Sequence, residues 1–161
     1  MLDPRAIANF ILDMGDQKGI ALSNLSLNKI AYFLHGSYLA QFDEPLIDAK
    51  IEAWQYGPVI REIYQQFKQF ADKPISGRAI SLNIDTGEME ECKYLIDNDK
   101  KNKLATMLDA YLNLKPFKLV ELSHVDGGPW DQAWHHDDRV NPGMEITNDS
   151  IKQYFQAQVR H

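Results

Sequence analysis

Leu27-Asn28-Lys29-Ile30-Ala31-Tyr32-Phe33-Leu34-His35-Gly36 and Ile51-Glu52-Ala53-Trp54-Gln55-Tyr56-Gly57-Pro58-Val59-Ile60 are the two stretches on which the fold turns. In the first, Leu27, Ile30, Ala31, Phe33, Leu34, Tyr38 and Leu39 form an apolar stripe wide enough to predict a helix buried on most sides, and therefore central. Ser26 is placed to cap it. Gly36, in its middle, costs about 1 kcal/mol relative to alanine, which marks a place where another backbone comes close. Asp43-Glu44-Pro45 breaks the helix. In the second stretch, Ile51 to Tyr56 alternates as a short strand does, and Gly57-Pro58 stops it. Proline has a fixed φ and no N–H to lose at a first helical position. Gly57-Pro58 is thus expected to open the next helix as well, with Val59, Ile60, Ile63, Tyr64, Phe67 and Phe70 inward as far as about Ala71.

Working outward, Ala6, Ile7, Phe10, Ile11 and Met14 recur at helical spacing after Asp3-Pro4, with Gly15 placed to end the run. Downstream, Ile80, Leu82 and Ile84 alternate before Asp85-Thr86-Gly87, which predicts a hairpin with a return strand near residues 88–94. Asp97 or Asn98 caps a helix bearing Leu104, Met107, Leu108, Tyr111 and Leu112, and Pro116 opens a shorter one reaching Leu122. Asp126-Gly127-Gly128-Pro129 reads as a loop, Trp130 to His135 as one or two helical turns, and Thr147 as the cap of a last helix with Ile151, Tyr154 and Phe155. The expected fold class is mainly α: a compact, single-domain helical bundle over residues 1–161 with a small antiparallel β element. No repeat, low-complexity tract or interdomain linker interrupts it.

A chain of 161 residues, 44% hydrophobic and 25% charged, has the composition of one soluble globular domain. Its 17 basic and 23 acidic side chains leave a formal charge of −6, a poor electrostatic hold on phosphates, so no direct nucleic-acid partner is expected. Residues 121–149 hold seven acids against one base, together with Trp130 and Trp134. Two readings stay open for that segment. It is a solvated loop whose tryptophans fold back onto the core, or it is a partner surface. Its charge suits a basic partner, since it would raise the association rate and cover a basic working surface. No stretch has the length or apolarity of a membrane span, and the N-terminal residues lack the pattern of a signal peptide, so a cytoplasmic protein with no membrane partner is expected.

Chemistry is thinly represented. Ser26-Leu27-Asn28-Lys29 matches S-x-x-K, but the companion S-D-N and K-T-G elements are absent, and a serine at a helix start is ordinarily a cap. His124, Asp126, His135 and Asp137 could serve a metal-dependent hydrolase, although their spacing matches no metal motif and adjacent histidines such as His135 and His136 project about 100° apart on a helix. P-loop, G-x-G-x-x-G and G-x-S-x-G patterns are missing. Cys92, the single cysteine, excludes an intrachain disulfide and a thiolate zinc cluster. The expectation is a protein that is not an enzyme and needs no cofactor or metal.

From Leu27 to Gly36 and from Ile51 to Val59, with Tyr64 following, the residues resemble the Panacea domain, the family of SocA-like antitoxins and phage-associated GepA-like proteins. The family pattern runs roughly L-x-K-L-x-Y-F-x-x-G, then I-E-A-W-x-Y-G-P-V-x-x-x-x-Y, then L-S or L-T, an acidic loop and P-W. Leu122-Ser123 and Pro129-Trp130 supply the last element, and the resemblance spans about residues 3–157. It implies a mostly helical domain that neutralises a protein toxin, encoded by an adjacent gene, by direct binding. It also implies, as an alternative, an adaptor that hands the toxin to an ATP-dependent protease. Trp54, Gly57 and Pro58 then read as structural, filling the core and fixing a corner. Tyr56, Arg61, Tyr64, Asp126, Trp130, Asp131 and Trp134 are the candidate partner-binding residues, with Tyr56, Arg61 and Tyr64 expected in one groove.

Overall fold

Asp3 and Pro4 start the first helix as their chemistry dictates. The Asp3 carboxylate accepts the Arg5 backbone N–H at 2.8 Å, and Pro4 occupies a first-turn position where no amide is missed. In the computed structural model, which describes residues 1–159, α1 spans Pro4–Gln17. It runs through Gly15, which does not end it. The residue is small because the Ile20 carbonyl would lie 2.9 Å from a Cβ at this position.

α2 (Asn24–Phe42) is the central helix anticipated from its stripe, and α1 packs against it. Its cap is Ser23 rather than Ser26. The Ser23 hydroxyl accepts the Ser26 N–H at 3.2 Å, and Ser26 itself is buried one turn in. Asp43, in the left-handed region at φ 56°, closes the helix by donating its N–H to the Leu39 carbonyl. Ile30 and Leu34 are fully buried, each worth about 1.5–3 kcal/mol. At Gly36 the close neighbour is a ring, not a backbone: a Cβ there would come within 2.4 Å of Phe155.

The β element contains three antiparallel strands in the order β2-β1-β5, formed by β1 (Ile51–Trp54), β2 (Gly57–Val59) and β5 (Met144–Ile146). This corrects the reading of Gly57-Pro58 as a helix start. Gln55 and Tyr56 make a tight turn, Gly57 at φ +116° pairs with Trp54, and Pro58 pairs with Ala53 on an edge strand, where its missing N–H costs no ladder bond. α3 (Arg61–Phe67) begins three residues later and continues as a short 3-10 turn to Phe70.

A separate hairpin of β3 (Ile80–Leu82) and β4 (Met89–Glu91) follows, its return strand shorter than the alternation suggests. α4 (Asn98–Leu108) starts at an Asp97 cap and ends before Tyr111 and Leu112, which lie in turns. α5 (Pro116–Ser123) and α6 (Pro129–Trp134) lead to β5, and α7 (Asn148–Val159) lies along α2. As expected of a cap, the Thr147 hydroxyl accepts the Ser150 N–H at 3.2 Å. The chain is thus mainly helical with a small antiparallel sheet, and α2 also meets α3, α4 and α5. Among the described residues no helix is long and apolar enough to cross a membrane.

Candidate partner-binding site

The β1–β2 turn stands over three polar side chains that α2 buries. Asn28 accepts the Ile60 N–H on Oδ1 at 3.0 Å and donates to Asn24 Oδ1 at 2.9 Å, while Asn24 donates to the Tyr64 carbonyl at 3.1 Å. Lys29, with no exposed surface, donates from Nζ to the Pro58 carbonyl at 3.1 Å. Burial pushes its amine down to about 7, because a charged ammonium loses its hydration there. These contacts tie the middle of β2, the residue that links it to α3, and the middle of α3 to the central helix. The lysine of the S-x-x-K pattern therefore bonds a strand carbonyl.

Gly57 closes this arrangement. A Cβ would lie 2.6 Å from Lys29 Cε, 2.8 Å from Ser123 Oγ and 3.1 Å from His124 Cε1. Only glycine admits both the positive φ and the passage of the lysine stem.

Above this support, a cavity of about 430 Å³ is walled by Leu25, Trp54, Tyr56 and Tyr64, with Asn24, Asn28 and Lys29 beneath and Lys68 beside it. Trp54 and Tyr64 meet edge to face at 4.9 Å, and the Trp54 indole N–H donates to Glu52 Oε1 at 3.0 Å. Tyr56 projects from the turn and is 64% exposed. Such a surface can receive apolar and aromatic side chains, because it is rigid on one side and carries an amphipathic ring at its lip.

Arg61 does not share this cavity. It lies with Glu52 and Trp134 around a second, shallower depression of about 400 Å³, with Trp54 and Gln55 standing between the two. Arg61 donates to Glu52 Oε1 at 2.9 Å; the guanidinium and the Trp54 indole N–H together outweigh burial and hold the Glu52 carboxyl below its ordinary value. The structure thus brings Tyr56 together with Tyr64, and Arg61 together with Trp134, on opposite sides of Trp54.

Trp130 is only 6% exposed. It stacks on Trp134 at 5.5 Å and lies 3.9 Å from the His124 ring, and its indole N–H donates to the Trp54 carbonyl at 2.8 Å. It therefore holds the hairpin from behind, while Trp134 reaches the rim. Asp131 accepts the Gly127 N–H at 2.9 Å and pairs with His135 Nδ1 at 2.8 Å; the backbone bond is the larger cause of its lowered carboxyl. Asp126 is exposed in the preceding loop. Among the described residues, no three His, Cys, Asp or Glu side chains gather closely enough to hold a metal ion. Periodicity did not disclose the buried trio of Asn24, Asn28 and Lys29. The available signal was a helix read as buried on most sides, which must bury some of its polar positions too.

The family described as Antitoxin SocA-like, Panacea domain, matches residues 27–131, from the first buried turn of α2 through both cavity-forming strands to α6. The chain belongs to that family. Antitoxin SocA of Caulobacter vibrioides (strain NA1000 / CB15N) is 34% identical over 158 residues, which cover 98% of this chain and 84% of that protein. No solved structure matches. Within this Panacea domain the matched segment contains Asn28, Lys29, Trp54, Tyr56, Arg61, Tyr64, Trp130 and Asp131, whereas Asn24, Leu25, Trp134 and His135 lie just outside it.

Proposed function

We propose that this Panacea domain neutralises a protein toxin, encoded by an adjacent gene, through direct stoichiometric binding with no chemistry of its own. The toxin seats an apolar or aromatic side chain in the cavity of Trp54, Tyr56 and Tyr64. Arg61, Trp134, Asp126 and Asp131 contribute the polar flank, and Trp130 acts as a support. One observation carries this reading: a largely exposed tyrosine sits at the tip of a hairpin whose second strand and following residue are bonded to Lys29 and Asn28, so its backbone loses little freedom when the ring is covered.

The test pairs this chain with the product of the adjacent open reading frame. Co-expression relieves the growth arrest that product causes, and the two purified proteins form a complex. Tyr56→Ala costs about 2 kcal/mol of binding, roughly a 30-fold loss of affinity, with an unchanged melting temperature because the ring contributes little to the core. Unaltered affinity in Tyr56→Ala would move the contact surface elsewhere. Absence of any complex would remove direct binding.

A further inference from the structure

The β3–β4 hairpin exposes what the rest of the fold buries. Ile80 and Leu82 share one face, Met89 lies across from Leu82, and Ile84 continues beyond the strand; they are 42%, 56%, 58% and 88% exposed, respectively. Between Ile80 and Cys92 the chain carries Asp85, Glu88, Glu90 and Glu91 and no base.

Two strands leave two edges, and they are not equivalent. The outer edge of β3 is partly capped, since the Ile80 N–H donates to Gln66 Oε1 at 3.1 Å. The Asn83 N–H bonds the Glu88 carbonyl and the Cys92 N–H the Ala79 carbonyl, so the N–H and C=O groups of Met89 and Glu91 point away from β3. Among the described residues these groups have no protein partner. Beside them lies a cavity of about 350 Å³ bordered by Glu91, Lys93 and Leu95.

We propose that β4 is a docking edge for an extended basic segment of a partner protein, which adds to the hairpin as a third strand. The charge selects this occupant. A second copy of the chain paired edge to edge would bring acidic side chains against their equivalents, and like charges facing across strands destabilise the pair. Side chains alternate along a strand, so lysine or arginine opposite Glu90 would pair with it on one face, while an apolar side chain opposite Met89 would extend the Ile80–Leu82–Met89 surface on the other. Acids alone would make a solvated, aggregation-resistant edge. The four exposed apolar side chains and the adjoining groove distinguish this one.

The probe is a short C-terminally amidated peptide alternating lysine with valine, titrated into the full chain beside a glutamate–valine counterpart. The lysine peptide is expected to bind about tenfold or more tightly than its counterpart and to slow hydrogen exchange at the Met89 and Glu91 amides. Glu90→Lys combined with Glu91→Lys reverses the preference at unchanged melting temperature, and Tyr56→Ala leaves it intact, which separates this surface from the proposed toxin groove. Equal affinity for both peptides, or no binding of either, overturns the proposal. So does protection of Met89 and Glu91 that rises with protein concentration in the absence of peptide, which would make a second copy the occupant.

Discussion

The two hairpins of this domain have the same antiparallel geometry and opposite supports. β1–β2 gains a third strand from β5, receives Lys29 and Asn28 from beneath, and has Trp130 donating to it from behind. Among the described residues β3–β4 has no third strand; it exposes most of its side chains and is held at its base by Asn9. A hairpin tied at several points can present one ring in one place, which suits a preformed contact. A hairpin tied at its base keeps an open edge and can be completed by another chain.

The largest test of this contrast is Lys29, the buried amine under the rigid hairpin. Its amine titrates near 7 in the fold against 10.5 ordinarily, so between these values the unfolded chain binds a proton that the folded chain does not. Stability therefore rises with pH across that window, by up to about 1.4 kcal/mol per unit and about 4 kcal/mol between pH 7 and 10. Above pH 10 the trend turns. Burial raises Tyr38 and Tyr94 to about 12, helped by Glu44 and Asp13, so the folded chain then holds protons that the unfolded chain releases. Urea unfolding at a series of pH values is expected to show the rise between pH 7 and 10 in the natural chain and a flat profile over that range in Lys29→Met. A rise that survives the substitution would place the titrating group elsewhere.

A glycine in each hairpin gives a sharper pairing. At Gly57 an added Cβ meets Lys29 and Ser123 at a φ of +116°, whereas at Gly87 it meets nothing within 4 Å at a φ of +75°. Gly57→Ala is expected to cost about 3 kcal/mol, combining overpacking with backbone strain, and Gly87→Ala about 1 kcal/mol from strain alone. Denaturant midpoints of the two variants measure the difference. Equal costs would mean that the first hairpin relaxes as freely as the second.

How much of this was legible in the chain follows from which physical signal each residue leaves. The stripes of α1, α2 and α7 were readable because a buried helical face repeats every three to four residues. Pro58 was misassigned to a helix start because its fixed φ suits a first helical turn and an edge strand alike. The pairing that decides between them, with Ala53, is set by Gly57 and by contacts from α2. β5 left no signal, since Met144-Glu145-Ile146 is too short to alternate visibly. At the candidate site, the aromatic residues were identifiable by type. Their division by Trp54 into two depressions was not, because nearness in sequence does not report the side of a hairpin on which a side chain emerges. Trp130 shows the same limit: composition left open whether it folds back onto the core or faces a partner, and its indole N–H bonded to the Trp54 carbonyl is what puts it behind the hairpin.

Asn9 is the smallest and most local test. It is 2% exposed on α1; its Nδ2 donates to the carbonyls of Ala79 and Cys92 at 3.0 and 2.9 Å, and its Oδ1 accepts the Ala79 N–H at 2.8 Å. One side chain thus satisfies both strands where the hairpin leaves the core. Asn9→Ala strands those groups at a cost of about 2 kcal/mol, which corresponds to roughly 30-fold faster exchange of the Asn83 and Cys92 amides if the hairpin opens by itself. The amides of β1 are expected to keep their protection, because Lys29, Asn28 and β5 still hold that sheet. A matching loss of protection in β1 would show that the two hairpins open as one unit. The open edge of β4 would then be as rigid as the aromatic groove, and a partner strand would have to fit a fixed template.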